Sequence, residues 1–185
     1  VFSLQADVDD AARVYLATAL PERIRQRLSV GPKLPVAAQG SVSRALSDAR
    51  ASQDSAGVLL GADYYVTGRL FILGDRQEVE VVLMRPGQPT PIWQASFRAT
   101  TSFRSVEEAI VRGLSRALGL KAPPPMPEGW PRTDEGHEAI LAGDSYLRSP
   151  TVAGADSALL WYDRALSLEP GSSIAAARLA RASAT

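Results

Sequence analysis

The spacing of apolar side chains predicts helices in the first third of the chain. Between residues 8 and 28 they recur every three or four positions, the period of a helix with one buried face. Asp7 precedes this run and is expected to cap the helix, because an acidic side chain suits a helix N-terminus. Pro21 lacks a backbone N–H, so we expect a break or restart of the helix there. Residues 41–61 form one further helical segment, or two with a bend near Gln53.

Residues with strand character are grouped in two parts of the sequence. Short apolar segments at 1–5 and 33–39 are candidate strands, and residues 63–73, 76–84 and 91–99 have β-type character. The connections between the last three have hairpin length and contain turn-forming residues. The sequence therefore predicts five strands.

A proline-rich segment divides the rest of the chain. Residues 105–120 return to helical spacing, so the order of elements predicts an α/β or α+β fold with a mixed five-stranded sheet. Residues 121–132 cannot continue a helix and are expected to form a stiff linker, which Trp130 pins onto a domain. The helices predicted beyond the linker are 133–148, 153–168 and 172–183. We therefore predict an α/β domain over 1–120 and a small all-α domain over 133–185.

The helical end of the chain carries a repeat-like pattern of small and aromatic residues. The positions that form it are Gly143 and Tyr146 in one helix and Ala158, Tyr162, Ala165 and Pro170 in the next. This pattern resembles one tetratricopeptide repeat, in which a small residue lets two helices approach and an aromatic ring fills the gap beside them. Leu179 and Ala180 stand where a following repeat would begin.

A second set of spaced residues precedes the linker. In order they are Leu60-Gly61, Tyr65-Val66, Gly68, Gly74-Asp75, Val79, Ile92-Trp93 and Leu118-Gly119-Leu120. With this pattern, residues 1–120 resemble the α/β domain found at the N-terminus of TolB and in the flagellar assembly protein FlgO. The first strand departs from that family, because the chain reads VFSLQ where the family pattern ends in LPF. The resemblance implies the architecture and is nearly silent on function.

The Gly-Ala-Asp turn at 61–63 raises the question of a catalytic loop. Glycine loops that hold phosphate lie at the start of a helix, where backbone N–H groups are free. In the family that the chain resembles, the Leu-Gly motif instead ends a helix. We therefore expect Gly61 to be a left-handed helix cap and Gly68 to allow close backbone packing within a strand.

Composition and motifs argue against catalysis. The 185 residues include 20 basic and 20 acidic side chains, without the basic stripe of a nucleic-acid binder, and no cysteine. His137 is the single histidine, so no second histidine or cysteine exists for a metal site or a nucleophile pair. Residues 7–10 lack the Gly and the distal Glu of a calcium loop, and no phosphate-loop or hydrolase motif occurs. Glu107 and Glu108 are adjacent carboxylates, but a catalytic pair needs converging geometry and one raised pKa. We expect no enzyme activity, no cofactor and no metal.

The expected function is that of a non-enzymatic sensory or protein-interaction module. The resemblance implies the periplasmic part of a bacterial membrane-associated signalling protein or transcriptional regulator, similar to the CadC-like regulators. Such a module would bind a protein, a peptide or a small-molecule signal at the domain junction or the repeat groove, and it would contact no nucleic acid. One alternative is a cytoplasmic accessory domain behind an adenylate cyclase or kinase, and another is a cell-envelope assembly protein of the TolB or FlgO type. A homodimer is left open by the sequence.

The chain begins with Val and contains no apolar run of the ~20 residues that a membrane-spanning helix needs. We expect it to be a piece of a longer protein whose membrane segment lies upstream.

The predicted partner-binding face lies on the first helix after the linker. Partners of tetratricopeptide repeats bind the concave side that first helices form, and this register places four residues there: His137, Ile140, Asp144 and Leu147. One repeat cannot bury its own apolar surface, because stable arrays usually need about three. We therefore expect this face to be covered by protein, most simply by the first domain.

Overall fold

The computed structural model describes eight stretches of the chain: residues 4–8, 14–30, 34–48, 52–73, 76–98, 102–121, 123–148 and 151–184. The elements before the linker are β1 (Gln5–Val8), α1 (Leu16–Ser29), α2 (Gln39–Asp48), α3 (Gln53–Leu59), β2 (Tyr65–Leu73), β3 (Arg76–Met84), β4 (Trp93–Arg98) and α4 (Phe103–Ala117). Those after it are α5 (Asp134–Tyr146), α6 (Val152–Leu168) and α7 (Ser173–Ala182).

The sheet has four strands in the described part of the chain, in the order β1-β2-β3-β4. The short strand β1 runs parallel to β2, and β2, β3 and β4 form two antiparallel hairpins. The predicted mixed α/β class is therefore confirmed, and the prediction of five strands is wrong.

The fifth strand was expected at residues 33–39, of which 34–38 are described as extended backbone without sheet pairing. Pro35 lies in the middle of this segment and has no N–H to donate to a ladder. The chain then enters α2 at Gln39, inside the predicted strand. Local sequence thus indicated the extended backbone correctly but not its lack of a partner.

The first strand and the start of the first helix also differ from the prediction. The strand β1 covers Gln5–Val8 rather than 1–5, and residues 1–3 lie outside the described residues. Asp7 is not a helix cap, because it belongs to β1 and pairs in register with Phe71 of β2. Pro21 lies inside α1, which continues through it without the expected break.

The helices α2 and α3 are separate, so the two-segment alternative for residues 41–61 is confirmed. Ser52 caps α3, and its side chain accepts a hydrogen bond from the backbone N–H of Ser55. Gly61 follows the end of α3 with φ of 59°, which is the left-handed cap expected from the sequence. In β2, a Cβ on Gly68 would lie 1.9 Å from the carbonyl oxygen of Glu80, so only glycine fits there.

The first core lies between one face of the sheet and the helices α1 and α4. Its members include Leu16, Leu20, Ile24, Leu28, Leu70, Ile72, Val79, Val81, Leu83, Phe103, Val106, Ile110, Val111, Leu114 and Leu141. Leu141 comes from α5, beyond the proline-rich segment. The helix α5 therefore packs against α1 and α4 on one side and against α6 on the other.

The three C-terminal helices form close to where the sequence predicts them, and each begins at a Ser or Thr cap. Thr133, Thr151 and Ser172 each accept a hydrogen bond from the backbone N–H three residues further on. Gly143 of α5 lies against the ring of Tyr162 of α6, where a Cβ would approach Cε1 to 2.5 Å. This contact brings the two helices together as expected, whereas the tetratricopeptide assignment and the division into two domains stay predictions.

Candidate functional site

A buried cluster of charged side chains occupies the junction between α1, α4 and α5. Glu107 of α4 is fully buried, and its Oε1 accepts hydrogen bonds from Arg23 at 3.4 Å and from Arg27 at 3.2 Å. The other carboxylate oxygen, Oε2, lies 3.2 Å from Nε2 of His137, which is also fully buried. Two helices, α1 and α5, thus place charged or polar groups around a carboxylate of the third helix, α4. We call Arg23, Arg27, Glu107, His137 and Trp130 the junction cluster.

The proline-rich segment closes the junction cluster from the side. Arg27 donates a hydrogen bond of 2.7 Å to the carbonyl oxygen of Pro124, and its guanidinium lies 3.5 Å from the partly exposed Glu108. The guanidinium carbon of Arg23 lies 3.5 Å from the ring centre of Trp130, a cation–π contact. The segment is therefore fixed to α1 rather than loose, and Trp130 pins it as the sequence predicted.

The hydrogen bond between Trp130 and His137 determines the tautomer of the histidine. The indole Nε1 of Trp130 lies 2.7 Å from Nδ1 of His137. An indole N–H can only donate, so Nδ1 must accept and the imidazole proton is assigned to Nε2. That N–H then faces the Glu107 carboxylate at 3.2 Å. His137 therefore bridges the linker and the buried carboxylate, because it contacts Trp130 through Nδ1 and Glu107 through Nε2.

The ionisation of Glu107 follows from these contacts. Burial alone raises the pKa of this carboxyl, but the hydrogen bond from His137 and the charges of Arg23 and Arg27 outweigh burial and hold the pKa below its usual value. Burial lowers the pKa of Arg23, which Glu107 partly offsets. The fully buried negative charge of Glu107 thus faces two buried positive charges, and the partly exposed Glu108, 3.5 Å from Arg27, supplies a second negative charge at the edge. Such a cluster fixes a specific arrangement of elements more than it adds stability.

The positions of the charged residues along their helices explain how they come to be buried. Arg23 and Arg27 continue the apolar stripe of α1 that begins with Leu16 and Leu20. Glu107 stands four residues after Phe103 in α4, on the buried face of that helix. A charged residue within an apolar stripe was the available sequence signal for the junction cluster. Of its members, only Trp130 is predicted from the sequence to make a contact between the linker and a domain.

The four predicted partner-binding residues are brought together around α5, but the chain itself covers them. His137 and Ile140 are fully buried, Ile140 within the core formed with α6 and α7. Asp144 accepts a hydrogen bond of 2.8 Å from the hydroxyl of Tyr162 and lies 3.2 Å from Nε of Arg178. Leu147 is partly buried against the same core. A role for these residues in binding a partner stays a prediction.

The last strand, β4, presents a different kind of surface. It ends the sheet and pairs only with β3 among the described residues. Trp93 and Phe97 are half-buried, with ring centres 6.4 Å apart, and Gln94, Ser96 and Arg98 alternate with them as exposed residues. A strand at the edge of a sheet leaves a row of N–H and C=O groups that another strand can bind.

The described residues contain neither a metal-ligand group nor a membrane-spanning helix. Within the described residues, no group of three or more His, Asp or Glu side chains is placed to hold a metal ion. None of the helices in the same part of the chain is both long and apolar enough to cross a bilayer.

Comparisons with known proteins give limited similarity. No protein-family model and no curated protein matches the chain. The LpoB C-terminal domain from Salmonella enterica is 15% identical with a TM-score of 0.44, over 54% of this chain and 78% of that chain. For the LpoB C-terminal domain from Escherichia coli the identity is 15% and the TM-score 0.44, over 55% of this chain and 81% of that chain. Similarity of this size assigns neither a fold family nor a function. The resemblances to TolB, to the tetratricopeptide repeat and to CadC-like regulators stay predictions.

Proposed function

We propose that this chain is a non-enzymatic protein-binding module that docks an extended segment of its partner along the outer edge of β4. The observation that carries the proposal is the edge itself, which is unpaired in the described part of the sheet and flanked by two half-buried aromatic rings. Strand addition of this kind takes affinity from main-chain hydrogen bonds and specificity from alternate side chains.

The junction is a poorer docking surface than the strand edge. His137 and Ile140, two of the residues that the repeat register would offer to a partner, are fully buried by the chain's own helices. A partner could reach His137 only by separating α5 from α4, which would remove His137 from Glu107, and it could reach Ile140 only by opening the core between α5, α6 and α7. We therefore assign the junction cluster a structural role, that of holding α5 against the α/β part.

The geometry of β4 defines the segment that it would accept. Six residues of strand span about 20 Å at ~3.3 Å per residue. Apolar side chains on one face of the segment would cover Trp93 and Phe97, and polar side chains on the other face would lie beside Gln94 and Arg98. An acidic residue opposite Arg98 would suit its charge.

The cellular context of this module is also part of the proposal. We favour the cell-envelope assembly alternative, outside the cytoplasm, which follows from the resemblance to TolB and FlgO. No family model or curated protein matches the chain, so neither this context nor signal transduction or transcription regulation has support beyond the sequence resemblance. The purified chain should have no hydrolase, transferase or redox activity. Stoichiometric zinc or calcium after dialysis, or a nucleotide retained on purification, would contradict the non-enzymatic function.

Site-specific photo-crosslinking tests the docking edge. A photoreactive amino acid is placed at Gln94 or Arg98, both exposed on β4, and at Ser167, which is exposed on α6, as the control. We expect one discrete adduct, the same at both β4 positions, after irradiation in cells of the native host, and none at Ser167. The absence of an adduct at β4, or the same adduct at Ser167, would show that the edge is not the docking surface.

A further inference from the structure

A cavity of about 530 Å³ opens at one end of the first core, and none of the residues that line it belongs to the junction cluster. Its walls include Leu28, Leu34, Val36, Val66, Leu83 and Leu118. Its size lies within the range of about 300–1,000 Å³ that is typical of small-molecule sites. No function described so far uses it.

The floor of the cavity belongs to the folded core. Val66 of β2 and Leu83 of β3 are neighbours in the sheet register and are both buried. Leu28 near the end of α1 and Leu118 at the end of α4 form the inner walls. The floor is thus held by two strands and two helices rather than by loops alone.

The other wall is the unpaired extended segment at 34–38. It was expected to be a strand, but it pairs with no described strand and instead places Leu34 and Val36 over the cavity. This arrangement explains why an apolar extended segment lies beside the sheet without joining it. The sheet gains no fifth strand, and the space beneath the segment stays open.

The few polar groups of the lining are already engaged or lie at the surface. Arg25 is held by Glu22 of its own helix, through hydrogen bonds of 2.8 Å and 2.5 Å. The hydroxyl of Tyr64 accepts a hydrogen bond of 3.2 Å from Arg85, and Asp63 is exposed. The lining therefore suits neither a phosphate nor a peptide backbone, which would each need several polar partners.

We propose that this cavity binds one small, uncharged and mainly aliphatic molecule, of the class of a medium-length alkyl alcohol. Aliphatic walls and the compensated charge of Arg25 together favour such a ligand. The site is independent of the β4 edge, so this proposal and the proposed protein-binding function fail or succeed separately.

A fluorescence assay with two matched variants tests the site. The probe is N-phenylnaphthylamine, an uncharged dye that brightens in apolar sites, and decanol is the competitor. Val36→Trp fills the cavity from its wall. Val14→Trp makes the same change at an exposed residue just before α1, about 20 Å along the helix axis from Leu28 of the cavity lining. We expect saturable binding of one dye molecule, displaced by decanol, weakened about tenfold or more by Val36→Trp and unchanged by Val14→Trp.

Methyl resonances of the unsubstituted protein give a second measurement that does not depend on a variant folding. Added decanol should shift the methyl signals of Leu28, Val66 and Leu118, and leave those of Leu160 on α6 unchanged. Neutral phosphatidylcholine vesicles should not carry the chain in flotation. Absence of saturable dye binding or equal binding by a folded Val36→Trp variant would overturn the proposal. So would methyl shifts confined to the core that α5 forms with α6 and α7, or flotation of the chain with vesicles.

Discussion

Replacing Glu107 by glutamine should weaken the fold more than any neighbouring change of charge. Glutamine keeps the size of the side chain and one oxygen acceptor, but it removes the negative charge. Arg23 and Arg27, which contact Glu107 at 3.4 Å and 3.2 Å with only 4% and 2% of their side chains exposed, then have no buried counter-charge. His137 also loses the carboxylate that faces its Nε2.

The expected magnitude follows from these contacts. Two unit charges about 3.3 Å apart attract by roughly 5 kcal/mol at an effective dielectric constant of about 20. The cost of burying the Glu107 carboxylate, which the substitution relieves, offsets part of this attraction. Removing one partner from a buried ion pair usually costs about 3–5 kcal/mol, and we expect Glu107→Gln to lower the free energy of unfolding by that amount. For a chain of this size the change corresponds to a fall in Tm of roughly 6–20 °C.

Urea denaturation of the purified variants measures this free energy, and Glu108→Gln is the matched control. Glu108 is the next residue and lies 3.5 Å from Arg27, but 38% of its side chain is exposed. Exposed ion pairs contribute about 0–1 kcal/mol, so the control should lose no more than that. A Glu107→Gln variant within about 1 kcal/mol of the unsubstituted chain, or an equal loss in Glu108→Gln, would refute the reasoning.

The effect of Glu107→Gln should depend on pH in one direction. The pKa of Glu107 in the folded chain lies below its usual value of 4.5, so the carboxyl stabilises the fold fully above that value and loses its contribution as pH falls through the folded pKa. The difference between the two chains should therefore be constant near neutral pH and shrink in acid. A difference that grows below pH 4.5 would mean that another group is responsible.

Two further substitutions test the packing around α5. Trp130→Phe removes the N–H that binds Nδ1 of His137 and should cost about 1–3 kcal/mol in urea denaturation, because a buried acceptor loses its partner; no loss would contradict the assigned tautomer. Gly143→Ala places a Cβ about 2.5 Å from the ring of Tyr162 and should lower Tm, whereas Gly40→Ala in α2, with no atom within 4 Å, should leave Tm unchanged or raise it. Equal Tm values for these two glycine variants would show that α5 and α6 can separate without cost.

The elements after the linker could be predicted because their signals are local. Thr133, Thr151 and Ser172 cap their helices through hydrogen bonds to residues three positions away. The spacing of apolar residues indicates how far each helix extends. The strands β2 and β3 were likewise predicted at 63–73 and 76–84, since a hairpin joins neighbours in sequence. Turn residues and alternation suffice for such pairs.

The errors concern pairing between distant parts of the chain. The strand β1 includes the polar residues Gln5 and Asp7, because a strand at the edge of a sheet needs no apolar face, and its partner β2 lies about sixty positions further along. Residues 34–38 show the opposite case, because this apolar extended segment lies beside a cavity and not beside a strand. Neither outcome is encoded in a local pattern.

The junction cluster could be predicted only in part for the same reason. Arg23, Arg27 and Glu107 stand within apolar stripes, which indicates that each is buried. Their pairing with one another joins residues eighty or more positions apart, and His137 enters only when α5 docks. A single sequence contains no signal for the contact of these residues with one another.

The position of α5 sets the order in which a nascent chain can complete its first core. Leu141 fills that core, and His137 meets Glu107, yet both follow the proline-rich segment. Chains emerge from the ribosome at about 5–20 residues per second, so the faces of α1 and α4 that receive α5 stay open for several seconds after α1 has formed. During this interval Arg23 and Arg27 are still solvated, which keeps the open face polar. A charged side chain within an apolar surface lowers its tendency to aggregate, so we expect Arg23 and Arg27 to have this effect until α5 docks.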